Sequence, residues 1–329
     1  MAQTSTMVYV LSHHINNILL FWFGRTIYLL PILNCYEMKS FLFSLIKYSF
    51  FLLLIVLIAF WGTKRMVSNY FDYSIPAEKN ILILGDSHTQ TSLNDTILKN
   101  AVNLSESADT YFYSYIKLKH LISKNKQIDT LILAYSYSNI TKSQDDWLIN
   151  TQVNAVKLPK YFFMFDNNDL TASLKMNHHL VLNNTLQIIA SNVRLFSKIR
   201  QKNEINQLGI GGYLPLTNIY KSKPKKYIKT ELKYGQFDLE YLYKIYSLCT
   251  KNKIKVILLN APTIFDQNHV NPYKSKYNSI ARKKLKTATI INLSNLKLQS
   301  KYFADEDHLN EQGARLFSNK ITEIFKRKN

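Results

Sequence analysis

A chain of 329 residues, 47% of them hydrophobic, can hold one large domain or two small ones and has ample apolar material for a core. Nothing repeats along it at a fixed period, which excludes a solenoid or a propeller. Its 42 basic and 22 acidic residues give a formal net charge of +20, enough to attract nucleic acid, an anionic polymer or an anionic membrane surface. The lysines form no single dense block, so a solvated Lys-rich surface is the expected source of the excess. The densest run, Lys221 to Lys229, surrounds Pro224. The two cysteines, Cys35 and Cys249, have no partner at zinc-ligand spacing, and a disulfide between them is not expected.

From the N-terminus, residues 1–39 read as an extension. They hold either a second hydrophobic stretch (Ile18 to Ile32, broken by Arg25 and Pro31) or sequence upstream of a true start at Met38. Ser40 to Gly62 is apolar except for Lys47. As a helix it spans about 34 Å, enough for a hydrocarbon core of about 30 Å. Trp61, Lys64 and Arg65 suit an interfacial end, and no small-x-small cleavage site follows, so an uncleaved anchor is expected rather than a signal peptide. Basic residues flank both ends and leave the orientation open.

Residues 63–79 read as a polar linker ending near Pro76. Asn80 to Gly85 is a short apolar run that stops at glycine, the pattern of a strand buried on both faces of a parallel sheet. A helix is expected over Ser92 to Lys99, a strand over Ala101 to Leu104, a helix over Tyr111 to Lys124 and a strand over Asp129 to Tyr135. The alternation then lapses. Residues 140–235, rich in Asn, Lys and aromatic side chains, read as an insertion with a helix near Leu180 to Arg200 and a turn at Gly209–Gly212. It resumes with a helix (Leu239 to Asn252), a strand (Lys255 to Asn260), a helix (Tyr273 to Lys286), a strand (Thr289 to Leu293) and a terminal helix (Glu311 to Lys326). Alternating strands and helices predict a mostly parallel α/β domain over residues 80–329. In such sheets the binding crevice lies beyond the carboxyl ends of the strands. Gly85-Asp86-Ser87-His88 and Asp305 to His308 both fall there.

A serine hydroxyl needs a positioned base and oxyanion donors to act as a nucleophile. Glycine before Ser87 permits a sharp turn that exposes the hydroxyl beside free backbone N–H groups. Asp305, three residues before His308, can hold one ring nitrogen while the other faces Ser87. Taken singly, Gly-Asp-Ser is also an Asx-type turn, and Asp-x-x-His a helix cap from Asp307 or Asn310.

ILILGDSHTQ resembles the first block of the SGNH/GDSL hydrolase superfamily, and YFADEDHLNEQGARLF resembles its last. The likeness covers roughly residues 78–136 and 238–326. It implies a three-layer α/β/α flavodoxin-like fold, with Ser87 as nucleophile, His308 as base, Asp305 as its orienter and the Ser87 N–H as an oxyanion donor. Two departures stand out. The second block, Asn103 to Asp109, has no glycine, so Ser105, Ser107 or Ala108 must supply the backbone donor. In the third block, where the family places an asparagine side chain as a further oxyanion donor, Asn139 is the nearest candidate and stands about one residue out of register. Such departures resemble divergent membrane-anchored relatives acting on cell-envelope polymers, including proteins of alginate acetylation and teichoic-acid D-alanylation. The resemblance therefore implies a membrane-anchored esterase or O-acyltransferase facing the extracytoplasmic, periplasmic side of a bacterial membrane. An ester-bearing carbohydrate or lipid would be its substrate. A fold kept as a non-catalytic glycan-binding or scaffolding module is the alternative.

Asp86 and His88 are candidate pocket residues beside Ser87. His178-His179 and His269 carry no metal-ligand spacing. No phosphate loop, dinucleotide fingerprint or zinc signature occurs, so neither cofactor nor metal is expected. No nucleic-acid recognition motif occurs either, and an anchor would keep the domain from DNA.

Overall fold

The computed structural model describes residues 18–23, 26–31, 35–201, 209–221 and 232–327. Residues before Ile18, and the basic run around Pro224, lie outside the described residues. The chain forms two compact units, Met1–Trp61 and Gly62–Asn329.

In the first unit, β1 (Ile18–Phe23) and β2 (Thr26–Pro31) pair antiparallel, Phe23 opposite Thr26. The stretch read as a second hydrophobic segment thus contains two paired strands rather than a helix. Helix α1 (Cys35–Tyr70) follows. Most of its apolar side chains from Met38 to Trp61 are exposed, Phe43 at 72% and Ile58 at 63% among them, and over Met38–Tyr70 it is long and apolar enough to cross a membrane. So large an exposed apolar surface on one helix is compatible with a hydrocarbon surround. Its last turns belong to the second unit, so residues 63–70 of the expected linker are helical.

The second unit is built on a five-stranded parallel sheet of β3 (Ile81–Leu84), β4 (Ala101–Asn103), β5 (Thr130–Ala134), β6 (Lys255–Asn260) and β7 (Thr289–Asn292), in the order β4-β3-β5-β6-β7. Registers such as Leu82 opposite Val102 and Leu131 align the carboxyl ends. Leu82 to Leu84 and Leu131 to Leu133 are essentially inaccessible, as expected of strands covered on both faces.

The chain turns one way from β3 to β4 and the other way for every later step. Right-handed crossovers therefore put the first connection on one face and the later ones on the other. Helix α2 (Ser87–Ser92) accordingly packs with the terminal helix, while α3 (Tyr111–Lys124) packs with α8 (Phe237–Lys251) on the opposite face. This is the expected three-layer flavodoxin-like architecture. Between β5 and α8 lies the insertion: α4 (Lys142–Ile149), α5 (Thr151–Tyr161), α6 (Asn167–Asn183) and α7 (Thr185–Arg200). Short α9 (Ile264–Asn268), α10 (Lys274–Lys284) and the terminal α11 (Glu311–Lys326) complete the domain.

The helix expected over Ser92 to Lys99 is displaced: α2 begins at Ser87 and ends at Ser92. Beyond it, Asn94 Oδ1 accepts from Thr96 N (2.9 Å) and Asp95 Oδ2 from Asn103 N (2.9 Å). These short polar side chains satisfy the backbone in turns instead of a helix.

Candidate active site

Ser87 stands where the strand order reverses, because β3 has β4 on one side and β5 on the other. Gly85 ends β3 with φ +150°, and a Cβ there would collide with Ala134 Cβ and stand 2.6 Å from Thr89 Oγ1. Only glycine lets the chain pass so close to β5 and turn sharply into α2. Asp86 then caps α2, its Oδ1 accepting from His88 N at 2.9 Å. The Asx-type turn is therefore present, and it is the device that places Ser87 at the first helical position.

From the other end of the domain, Asp305 Oδ1 accepts from the backbone N–H of Asp307 (2.8 Å) and of His308 (2.9 Å), folding residues 305–308 into a tight turn. Burial opposes the Asp305 carboxylate, but these N–H groups and the His308 ring outweigh it and hold its pKa below the usual value. His308 Nδ1 lies 2.9 Å from each Asp305 oxygen, and His308 Nε2 lies 2.7 Å from Ser87 Oγ. The helix cap is a separate residue: Asn310 Oδ1 accepts from Gly313 N at 3.0 Å and starts α11. Ser87, His308 and Asp305 thus form one hydrogen-bonded series. A charged Asp305 favours the Nδ1–H tautomer, which turns a lone pair of Nε2 toward the hydroxyl.

The remaining candidates fall into two groups. Asn139 is buried, and its Nδ2 donates to Asp86 Oδ2 at 2.7 Å while its Oδ1 accepts from Ser136 N at 2.8 Å. It braces the loop after β5 against the residue before Ser87. His88 Nδ1 lies 3.2 Å from Asp86 Oδ1, and its ring centroid is 5.2 Å from that of His308. Burial disfavours a charged His88, but the Asp86 carboxylate prevails and pushes its pKa up to about 9. Asp86 is correspondingly held near 2 against its burial. His88 is therefore an imidazolium at neutral pH.

The second group is the turn after β4. Glu106 N donates to Gly85 O at 3.0 Å, which lays the turn beside Ser87. Ser105 N is bound to Asn103 Oδ1 (2.9 Å) and Ser107 N to Gln90 Oε1 (2.8 Å). Among the described residues, the N–H of Ala108 has no such partner. Ala108 adopts φ +58°, a left-handed conformation that costs an L-residue about 1–2 kcal/mol. The glycine missing from this block is thus missing in name; the alanine takes the conformation a glycine would.

Behind that turn lies a charge cluster that sequence reasoning missed. Asp109 and Lys117 are buried 2.6 Å apart, and Lys157 of α5 reaches the other Asp109 oxygen at 2.7 Å. The Tyr161 hydroxyl lies 3.1 Å from each Asp109 oxygen, and Lys160 pairs with Glu106 at 2.7 Å. Lys117 Nζ also donates to Leu104 O (2.6 Å) and Ile210 O (3.2 Å). Burial lowers the Lys117 pKa against the opposing pull of Asp109. A lysine beside Ile116 and Leu118 on a buried helix was the only signal available in the sequence.

The insertion also returns to border the site. Leu214 N donates to Gln90 O (3.0 Å), Glu311 N to Leu216 O (2.8 Å) and Tyr220 N to Phe303 O (2.8 Å). A cleft of about 870 Å³ beside His308 is walled by Thr217 to Lys221 and Ala304 to His308. A second cavity of about 650 Å³, lined by Asn80, Asp129, Lys255 and Thr289, lies at the opposite, amino ends of the strands. His269 stacks on Phe265, and the His178 and His179 rings lie side by side in α6. Among the described residues no cluster of three or more His, Cys, Asp or Glu side chains is placed to hold a metal. Burial pushes the Cys249 thiol up to about 12, leaving it no thiolate character.

Fold and side-chain series together are those of α/β proteins that hold a serine hydroxyl at the carboxyl edge of a parallel sheet. No protein-family model matches the chain, and no curated protein matches it. Among solved structures it is similar to a GDSL-like lipase from Bacteroides thetaiotaomicron, at 13% identity and a TM-score of 0.35, over 82% of this chain and 100% of that one. It is also similar to a provisionally named platelet activating factor from Streptococcus pneumonia, at 10% identity and a TM-score of 0.40, over 84% and 98% of the two chains. The fold assignment itself rests on the strand order and register given above.

Proposed function

We propose that the chain is a membrane-anchored SGNH-type serine esterase or O-acyltransferase that works through an acyl-enzyme at Ser87. The observation that carries this reading is the series from Ser87 Oγ through His308 Nε2 and Nδ1 to Asp305, at 2.7 and 2.9 Å. In the first step Ser87 Oγ attacks the ester carbonyl and its proton passes to His308 Nε2. Asp305 stabilises the imidazolium through Nδ1–H. The N–H groups of Ser87 and Ala108 stabilise the tetrahedral oxyanion, and the His88 imidazolium adds positive potential beside it. His308 then returns the proton to the departing alkoxide, and the acyl group stays on Ser87. Water or a sugar hydroxyl, deprotonated by the same imidazole, takes the acyl group in the second step.

Ester-linked acyl groups of a cell-envelope polysaccharide are the proposed substrate, on the extracytoplasmic side. The long apolar helix α1 supports an anchored enzyme, and the open cleft beside His308 supports a substrate larger than a single small ester.

The test is hydrolysis of p-nitrophenyl acetate and labelling by a fluorophosphonate, comparing wild type with Ser87→Ala and His308→Ala. Hydrolysis and labelling lost in both variants are the expected result. A wild type that neither hydrolyses nor labels would mark the fold as a non-catalytic module.

A further inference from the structure

We infer that the outer face of α7 is a second membrane contact, seated on an anionic lipid surface. This inference rests on the reading of α1 as an anchor.

The argument starts from chain connectivity. Gly62 to Arg65 directly follow the apolar stretch of α1, so in an anchored protein they lie at the membrane–water interface. Within the second unit the insertion grips this end of the helix. Val67 and Phe71 are buried, Ser68 Oγ donates to Phe163 O at 2.5 Å, and the Phe71 and Phe163 rings are 4.9 Å apart. Helix α7 adds two contacts: Asn192 Nδ2 donates to Thr63 Oγ1 at 3.4 Å, and Phe196 meets the ring of Tyr70 edge-on at 5.7 Å. Helix α7 is thus bonded to Thr63, which follows the apolar stretch directly in sequence.

The surface of α7 has the matching chemistry. Ile188 and Asn192 face inward and are buried. On the opposite side Leu186, Ala190 and Val193, at helical spacing, are exposed, Leu186 at 70% and Val193 at 52%. Leu182, at the end of α6, is 65% exposed and continues the apolar patch. Arg194, Lys198 and Arg200 are exposed on the same helix. No Asp or Glu occurs from Leu170 to Arg200. An apolar stripe edged by cations and free of carboxylates is the pattern of a helix lying in an interface, where apolar burial and anionic headgroups act together. A lipid surface would cover the apolar area that Leu182, Leu186, Ala190 and Val193 leave in water.

The experiment uses the full chain with Cys35→Ser, reconstituted in nanodiscs of phosphatidylcholine with or without phosphatidylglycerol. Cys249 is buried, so an environment-sensitive fluorophore attaches only to a cysteine introduced at Leu186, at Val193 or, as a control, at the exposed Lys251 of α8. The expected result is a blue shift at 186 and 193, with quenching by spin-labelled lipid and protection from aqueous iodide. Lys251→Cys should show the reverse. The shift should shrink without phosphatidylglycerol and in the variant Arg194→Glu/Lys198→Glu. If the chain enters the discs but positions 186 and 193 are quenched by iodide as readily as 251, the anchor stands and the second contact is overturned. A chain that does not enter the discs removes both.

Discussion

The two sides of the candidate site are built in opposite ways. On the nucleophile side, Ser87, His308 and Asp305 are brought together by two tight turns, and the Asp305 side chain is 55% exposed. Their side chains are held by short hydrogen bonds within the two turns and between Ser87 and His308, so on the proposed function their substitution should change chemistry more than stability. On the other side, the turn from Glu106 to Asp109 is held from behind by two buried lysines, Lys117 of α3 and Lys157 of α5, and by the buried Tyr161. Its residues are few in type and ordinary in name, yet removing one of them disturbs charge in a place water does not reach. The comparison teaches that the recognisable half of such a site is the cheaper half to alter without unfolding it.

The largest expected effect is on the first side. His308→Ala is expected to lower turnover by about 10⁴-fold or more while leaving the unfolding midpoint in urea close to wild type. Next comes Lys157→Met, which strands Asp109 with one cation fewer. Breaking a buried pair costs about 3–5 kcal/mol, so the urea midpoint should fall clearly and turnover should drop with it. Lys157→Arg, keeping the charge, should restore most of both. A Lys157→Met protein as stable as wild type would erase the contrast between the two sides.

A smaller effect is expected at Ala108. Glycine there removes the left-handed penalty of about 1–2 kcal/mol but adds unfolded-state entropy worth about 0.5–1 kcal/mol. Ala108→Gly should therefore be neutral to slightly stabilising in thermal melts, with esterase activity kept. A large loss of stability would contradict the observed φ. The smallest effect concerns pH. The folded pKa of His88 is raised to about 9, above an unfolded value of about 6.5. Its contribution to stability is fully present below about 6.5 and is lost as pH rises through about 9. The melting temperature of wild type minus that of His88→Gln should narrow across that window, a shift differential scanning fluorimetry can follow.

Much of this was legible in the sequence where local rules decide the outcome. Apolar runs such as ILIL and the period of Tyr111 to Lys124 fixed strands and helix to within a residue or two, because burial on both faces or on one face leaves a direct trace. The pairing of Gly-Asp-Ser with Asp-x-x-His was legible because each motif makes its own turn. The start of α2 was not, since a cap side chain and a neighbouring glycine override the apolar pattern that suggested a later helix. Ala108 was half legible: the block was recognised, but a left-handed alanine looks like any other alanine in sequence. The partners of Asp109 could not be read, because Lys157 and Tyr161 arrive from an insertion whose helices follow no strand alternation. The place of Asn139 beside Asp86 was legible from its block, but its hydrogen bonds to Asp86 and Ser136 were not, because they depend on how the loop after β5 folds back.

The insertion that steadies the Glu106–Asp109 turn from α5 returns through Gly211 to Tyr220 and walls the cleft beside His308. On the proposed function, one continuous stretch of chain would bear on both the pace of the reaction and the shape of what is admitted. Loop shuffling, the usual way to retarget an enzyme of this architecture, would not separate the two here. A shortened or borrowed wall would loosen the turn as well, so new specificity would have to be sought by exchanging the whole helical module or by single substitutions along the cleft face.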